Sequence, residues 1–338
     1  MPELRQDLTT KEWIIIATDR AKRPQDFKRQ AVKKVLLPYD DTCPFCPGHE
    51  AETPPEVLAY REDEGADARG WTVRVIPNKF SALVPQGSTE RRANGNVFRV
   101  MDGVGYHEVI VETPIHNRFV PLMEEGEVER ILQAYRDRYL ALRQDRRVKL
   151  ILIFKNHGET AGTSLSHPHS QLVATPVVPA FIRRKYQEAV RYYDVTGRCL
   201  YSDLVEAERM AGERIVLETQ GFVVFHPFAS QSPFETWIVP TRRCPCFAHI
   251  SMEEVRELAG VLKWTLGRLA VALNDPDYNY VLHTVPVDGE DEEYYLWHIQ
   301  IVPRLSAIAG FEIGSGMRIN TARPEETARF LRQDLTTT

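Results

Sequence analysis

Residues 155–176 read KNHGETAGTSLSHPHSQLVATP, and His167-Pro168-His169 within them limits what the segment can be. Proline has no backbone donor and pushes the residue before it into extended geometry, so the triplet cannot lie inside a helix. The segment is therefore strand or loop. Side chains alternate along an extended chain, which places His167, His169 and Gln171 on one face and Pro168 and Ser170 on the other.

Working outward, VKLILIF (148–154) reads as a buried strand just before this segment. Upstream, YHEVIVETPIHN (106–117) alternates like a strand, and 123–145 places Val128, Ile131, Leu132, Tyr135, Tyr139 and Leu142 on one helical face. The same order recurs later. FETWIVPT (234–241) reads as a strand, 251–274 as a long amphipathic helix, and YNYVLHTVP (278–286) and LWHIQIVP (296–303) as strands. His298-Ile299-Gln300 occupies the place that His169-Ser170-Gln171 holds in the first copy. A duplicated unit of antiparallel strands with one long helix is an α+β architecture. The proline-marked ATPVVPAF (174–181) is the expected junction, giving units 1–178 and 179–338.

The chain has 338 residues, 43% of them hydrophobic and 26% charged, which suits about two globular domains. A formal net charge of -5 argues against a dedicated nucleic-acid binder. No apolar run reaches membrane-spanning length, and MPELRQDLTTKEW lacks the features of a signal or transit peptide. A cytoplasmic enzyme is the expectation.

Five cysteines, an odd number, read as free thiols or metal ligands. Cys43 and Cys46, in DDTCPFCPGHE (40–50), form a C-x-x-C knuckle whose prolines and glycine fold the chain back, as two thiolates on one tetrahedral zinc require. A redox pair is the alternative, but such pairs open helices and Pro47-Gly48 denies one. One knuckle is half a site; the missing ligands must come from elsewhere, and histidine is the expected type. Cys244 and Cys246 read as buried thiols and His283 as a core histidine.

Five separated stretches together carry a resemblance: WIIIATDRAKRP (13–24), the knuckle, IPNKFSAL (76–83), TPIHN (113–117) and NHGETAGTSLSHPHSQ (156–171). The chain resembles the galactose-1-phosphate uridylyltransferases, the transferase branch of the histidine-triad superfamily. The resemblance implies two fused histidine-triad-like units with antiparallel half-barrel sheets, a homodimer, a place in galactose metabolism, and ping-pong transfer of a nucleoside monophosphate between sugar phosphates. It assigns one structural zinc to Cys43, Cys46, His116 and His167, and the nucleophile to His169. Gln171 stands where hydrolytic relatives carry a third histidine; an amide can bond a phosphate oxygen without acting as acid or base. Further phosphate contacts implied are Asn156, Gly162 and Ser164, with Asn78, Arg20 and Arg23 on the substrate.

Two departures bear on the details. A second metal site lacks ligands, since Gln300 stands where a histidine belongs and Cys199 is followed by Ser202 where a second knuckle would need cysteine. The segment LSAIAGFEIGSGMRIN (305–320) is closer to the ADP-glucose phosphorylase branch, in which phosphate or a sugar phosphate accepts the nucleotidyl group. Uridylyl transfer from UDP-glucose to galactose 1-phosphate is the family default and adenylyl transfer the alternative. A zinc-stabilised nucleotide-binding protein without turnover is the other class.

Overall fold

The computed structural model describes residues 1–17, 23–28, 35–61, 70–289 and 293–333. The first half comprises β1 (Glu3–Gln6), β2 (Trp13–Ile16), β3 (Leu58–Arg61), β4 (Trp71–Pro77), β5 (Arg92–Asn94), β6 (Phe98–Val100), β7 (Tyr106–Val111), α1 (Glu125–Leu142), β8 (Leu150–His157) and β9 (His169–Thr175). Two helices follow, α2 (Ala180–Thr196) and α3 (Leu200–Ala211). Then come β10 (Ile215–Glu218), β11 (Phe222–Phe225), β12 (Thr236–Pro240), α4 (Met252–Leu273), β13 (Tyr278–His283) and β14 (His298–Pro303). The chain continues with α5 (Gly310–Ser315), β15 (Ile319–Asn320) and α6 (Pro324–Arg332).

Ten strands form one sheet in the order β10-β11-β12-β14-β13-β8-β9-β7-β4-β3. Read outward from its middle, β13-β14-β12-β11-β10 on one side repeats β8-β9-β7-β4-β3 on the other, with α1 and α4 at equivalent points in the chain. The expected duplication is thus visible in the strand order. Its halves join edge to edge, because β8 and β13 pair antiparallel with Tyr280 opposite Lys155. A separate small sheet, β1-β2-β15, ties the start of the chain to residues near its end.

Both long helices lie against one face of the large sheet. All six residues expected on the apolar stripe of α1 are buried. Helix α4 starts where Ser251 and Glu254 cap it reciprocally, Ser251 Oγ accepting from the Glu254 N–H at 3.1 Å and Glu254 Oε2 from the Ser251 N–H at 2.8 Å. Alternation then divides the strands. Ile151, Ile153, Leu172 and Ala174 are buried in the core, while Leu152, Phe154, Asn156, Gln171 and Val173 are half-buried on the opposite face. Among the described residues no helix is long and apolar enough to cross a membrane.

The loop after β8 begins with Gly158 at φ +86°, and a β-carbon there would stand 2.0 Å from Asp277 Oδ1. Two requirements, a left-handed backbone and a close approach, therefore coincide on one glycine. Gly158→Ala should lower stability by about 1–3 kcal/mol and displace the loop, a loss measurable by denaturant unfolding.

Candidate active site

The C-x-x-C knuckle is a run of tight turns in which the Cys46 N–H donates to the Cys43 carbonyl at 3.1 Å. It meets His116, which follows β7, and His167, which precedes β9. The ligand atoms of Cys43, Cys46, His116 and His167 all lie within 4.8 Å of one another, and all four residues are buried. His167 Nδ1 stands 3.7 Å from each sulfur and His116 Nδ1 3.5 Å from Cys46 Sγ. A tetrahedron with metal–sulfur bonds of about 2.3 Å and metal–nitrogen bonds of about 2.0–2.1 Å has sulfur–nitrogen edges of about 3.6 Å. The donor set therefore fits a closed tetrahedral ion of the structural kind.

Two surrounding bonds support the fit. His167 Nε2–H donates to the Thr113 carbonyl at 2.7 Å, which leaves the Nδ1 lone pair for the metal. The Asp40 N–H points at Cys46 Sγ from 3.4 Å. Burial pushes the Cys43 thiol up to about 11 and His167 down to about 4 in the metal-free protein. Across neutral pH the imidazole is ready to coordinate, whereas the Cys43 proton must leave.

His169 opens β9, and its register partner on β7 is Val111. Its Nδ1–H donates to the carbonyl of His167 at 2.8 Å, so the lone pair is on Nε2. Burial lowers its pKa, which keeps the ring neutral. The ring contacts Phe45 at 5.5 Å and borders a cavity of 770 Å³, lined also by Asn156, Gly158, Ser164, His167 and Asp277. A neutral imidazole that borders a cavity, with one nitrogen held as donor and a lone pair on the other, is equipped for nucleophilic attack.

The end of β8 and the loop after it carry three expected phosphate contacts. Asn156 and Ser164 line the cavity, and Gly162, at φ +88°, is exposed on the same loop. Gln171 shares the strand face of His169, two residues on. Asn78 is beside it, with its Nδ2 3.1 Å from His107 Nε2, and Gln171 Oε1 lies 2.8 Å from that same nitrogen. Arg23 is exposed and is not among the cavity's lining residues, and Arg20 lies outside the described residues.

Sequence reasoning missed a buried ion pair behind the nucleophile. Lys155 Nζ donates to Glu112 Oε2 and, at 3.3 Å, to the His169 carbonyl, while the Glu112 N–H donates to the Pro168 carbonyl at 3.1 Å. Their side chains are 1% and 0% exposed, and a charged pair so deep costs desolvation that only tight mutual contact offsets. The available signal was a lysine in phase with the inward Ile151 and Ile153 of β8.

The second copy is built differently. His298 repeats the bond of His169, its Nδ1–H donating to the Leu296 carbonyl at 3.1 Å. Yet His298 is 0% exposed, stacked on Trp237 at 4.4 Å and covered by Tyr201 of α3 at 5.3 Å. Its neighbour His283 gives its Nε2–H to Gln300 Oε1 at 2.8 Å. Among the described residues Cys199, His283 and His298 form no group of metal-ligand geometry.

The chain matches the galactose-1-phosphate uridyl transferase N-terminal domain family over residues 1–179, and a domain of unknown function over residues 128–338. It is 30% identical to the galactose-1-phosphate uridylyltransferase of Thermotoga maritima, over 98% of each chain. The chain belongs to the galactose-1-phosphate uridylyltransferase family. Within that family it is also similar to the ADP-glucose phosphorylase of Arabidopsis thaliana, 37% identical over 98% of this chain and 93% of the relative. The crystal structure of an Arabidopsis thaliana ADP-glucose phosphorylase with bound ADP-glucose superposes with a TM-score of 0.84 at 35% identity, covering 100% of both chains. A uridylyltransferase structure gives 0.76 at 30% identity, covering 99% of this chain and 98% of the other.

In this member of the uridylyltransferase family the Cys43–His167 set should take up about one metal ion per chain. Cys43→Ser should lose the ion and lower the melting temperature, since a structural site contributes folding free energy. Because a raised thiol pKa makes the Cys43 proton harder to displace, affinity should climb as pH rises toward about 11 and fall as it drops. Metal analysis after dialysis at graded pH checks both.

Proposed function

We propose that this chain transfers a nucleoside monophosphate from a nucleotide sugar to phosphate or a sugar phosphate through a covalent nucleotidyl-His169 intermediate. The observation that carries the reading is the bond from His169 Nδ1 to the His167 carbonyl, which leaves the lone pair on Nε2 in a ring that borders the large cavity. In the first half-reaction the Nε2 lone pair attacks the α-phosphorus. The bond from phosphorus to the bridging oxygen breaks, and the sugar 1-phosphate leaves with its electron pair. In the second, an oxygen of the acceptor phosphate attacks the same phosphorus, the N–P bond breaks, and its electrons return to Nε2. No proton is consumed over the cycle.

Phosphoryl transfer asks chiefly for positioning and charge stabilisation. Asn156 at the end of β8 and Gly162 and Ser164 on the loop after it would hold the phosphates, with Gln171, Asn78, Arg20 and Arg23 further contacts. A metal held by Cys43, Cys46, His116 and His167, zinc by the chemistry of its donors, would fix His167 and thereby the carbonyl that orients His169. Unit 1–178 would carry the chemistry and unit 179–338 support it, in a cytoplasmic homodimer.

ADP-glucose is the donor we favour, because identity to the phosphorylase, at 37%, exceeds the 30% to the Thermotoga maritima uridylyltransferase. UDP-glucose, the family default, is the second reading. Separate incubations with labelled ADP-glucose and UDP-glucose should leave acid-labile label on the protein, more with ADP-glucose than with UDP-glucose. His169→Gly should fold, keep its metal and accept no label; ordinary turnover by this variant would remove the covalent mechanism.

Gln171 is placed by its residue type to favour transfer over hydrolysis, since an amide cannot take a proton from water. Gln171→His should raise nucleotide-sugar hydrolysis relative to transfer, within the roughly 10²–10⁴-fold range of a positioned acid or base. Preloaded enzyme, assayed for free nucleoside monophosphate against nucleotide-sugar product at fixed acceptor, reads the ratio.

A further inference from the structure

Two carboxamides stand on the open sheet face beside His169, and groups behind them decide which end of each faces outward. An amide's oxygen and nitrogen are nearly equal in size, so its orientation is set by its partners. An anion needs the nitrogen end.

Asn156 comes first. The register that pairs Phe154 with Gln171 carries Asn156 to the level of His169, and its partner across the central strand pair is Asn279. Arg304 Nε can only donate, and it bonds Asn279 Oδ1. The nitrogen of Asn279 must therefore face the other way, where it donates to the Ala161 carbonyl at 2.9 Å and to Asn156 Oδ1 at 2.7 Å. With its oxygen taken, Asn156 turns Nδ2 toward Gly162, 4.0 Å from where a β-carbon would stand.

Gln171 repeats the logic with different parts. The Ala82 N–H is a fixed donor, and it points at His107 Nδ1 from 3.2 Å. The ring proton is then on Nε2 and goes to Gln171 Oε1 at 2.8 Å, because the other neighbour of that nitrogen, Asn78 Nδ2 at 3.1 Å, is a donor whose own oxygen accepts from the Phe80 N–H at 2.8 Å. Gln171 is left with its NH₂ group for a partner elsewhere.

We propose that Asn279 and His107 are positioning residues that turn the amides of Asn156 and Gln171 outward as paired hydrogen-bond donors for the phosphate oxygens of the substrate; this rests on the transferase reading above. Asn279 belongs to the second copy, so the half without an open histidine sets the polarity of the half that has one. Aspartate at 279 cannot donate, and Asn156 would reverse, presenting its oxygen to the anion.

The test is a labelling experiment on the full chain. Asn279→Asp should slow labelling of His169 at saturating nucleotide sugar by roughly 10²-fold, the loss typical of one misplaced donor, with a smaller change in half-saturation and no change in metal content. His107→Phe should do the same, and His107→Gln, which keeps a donor, should recover most of the rate. If Asn279 acts through Asn156, adding Asn279→Asp to Asn156→Ala should change little further. Wild-type labelling by Asn279→Asp, or equal fold-losses from that substitution in both backgrounds, overturns the proposal. Should the wild type accept no label from either nucleotide sugar, the covalent reading fails instead. The amide proposal is then decided by calorimetric binding of inorganic phosphate: weaker binding by Asn279→Asp supports it, and equal binding overturns it.

Discussion

The hydrogen bond from His169 Nδ1 to the carbonyl of His167, 2.8 Å long, couples two sites that the sequence places two residues apart. On one side of it the His167 side chain belongs to the cysteine–histidine tetrad; on the other, the His169 ring borders the cavity. The proline between them has a restricted backbone, so little freedom separates the carbonyl from the ring it orients. The strand face, the knuckle and the loop all act through that short span. The peptide is held from behind as well, by Lys155 on the His169 carbonyl and by the Glu112 N–H on that of Pro168.

Duplication supplied two copies of this arrangement, and helices α2 and α3 separate their fates. His298 keeps the backbone bond of His169 but is enclosed by Trp237 and Tyr201, with the Lys185 ammonium 5.7 Å from the Trp237 ring. A nucleophile without access to solvent has no substrate. The second copy serves the first through Asp277, whose Oδ2 accepts from the Thr160 N–H at 2.9 Å and its hydroxyl at 2.6 Å, and through Asn279. One half thus offers the reactive ring and the other braces the loop beside it.

Most strands of the large sheet and both long helices were legible because their signals are local. Alternation in 106–111 and 169–175 and the stripe of α1 need nothing beyond neighbouring residues. The metal tetrad was legible only through resemblance: Cys43 and Cys46 announce half of it, but His116 and His167 are 70 and 121 residues from Cys46. Helices α2 and α3 lie between the repeated units and have no counterpart in the first copy, so the duplication gives no sign of them although α2 is amphipathic. The Lys155–Glu112 pair escaped for a similar reason. Each residue alone reads as an ordinary surface charge, and only sheet pairing brings both into the core.

By itself, the sequence determined the types of the elements that repeat around the two histidine strands, the duplication, the knuckle and the extended geometry that His167-Pro168-His169 requires, since each follows from backbone chemistry and short-range periodicity. Tertiary structure decided which histidine is open, which tautomer each ring adopts and which way the amides of Asn156 and Gln171 face. These depend on groups whose role as donor or acceptor is fixed, such as the Ala82 N–H, the Ala161 carbonyl and the Arg304 guanidinium. They come from strands and loops distant in sequence: the set around Asn156 exists only once β8 and β13 have paired, and the set around Gln171 only once β7 and β9 have.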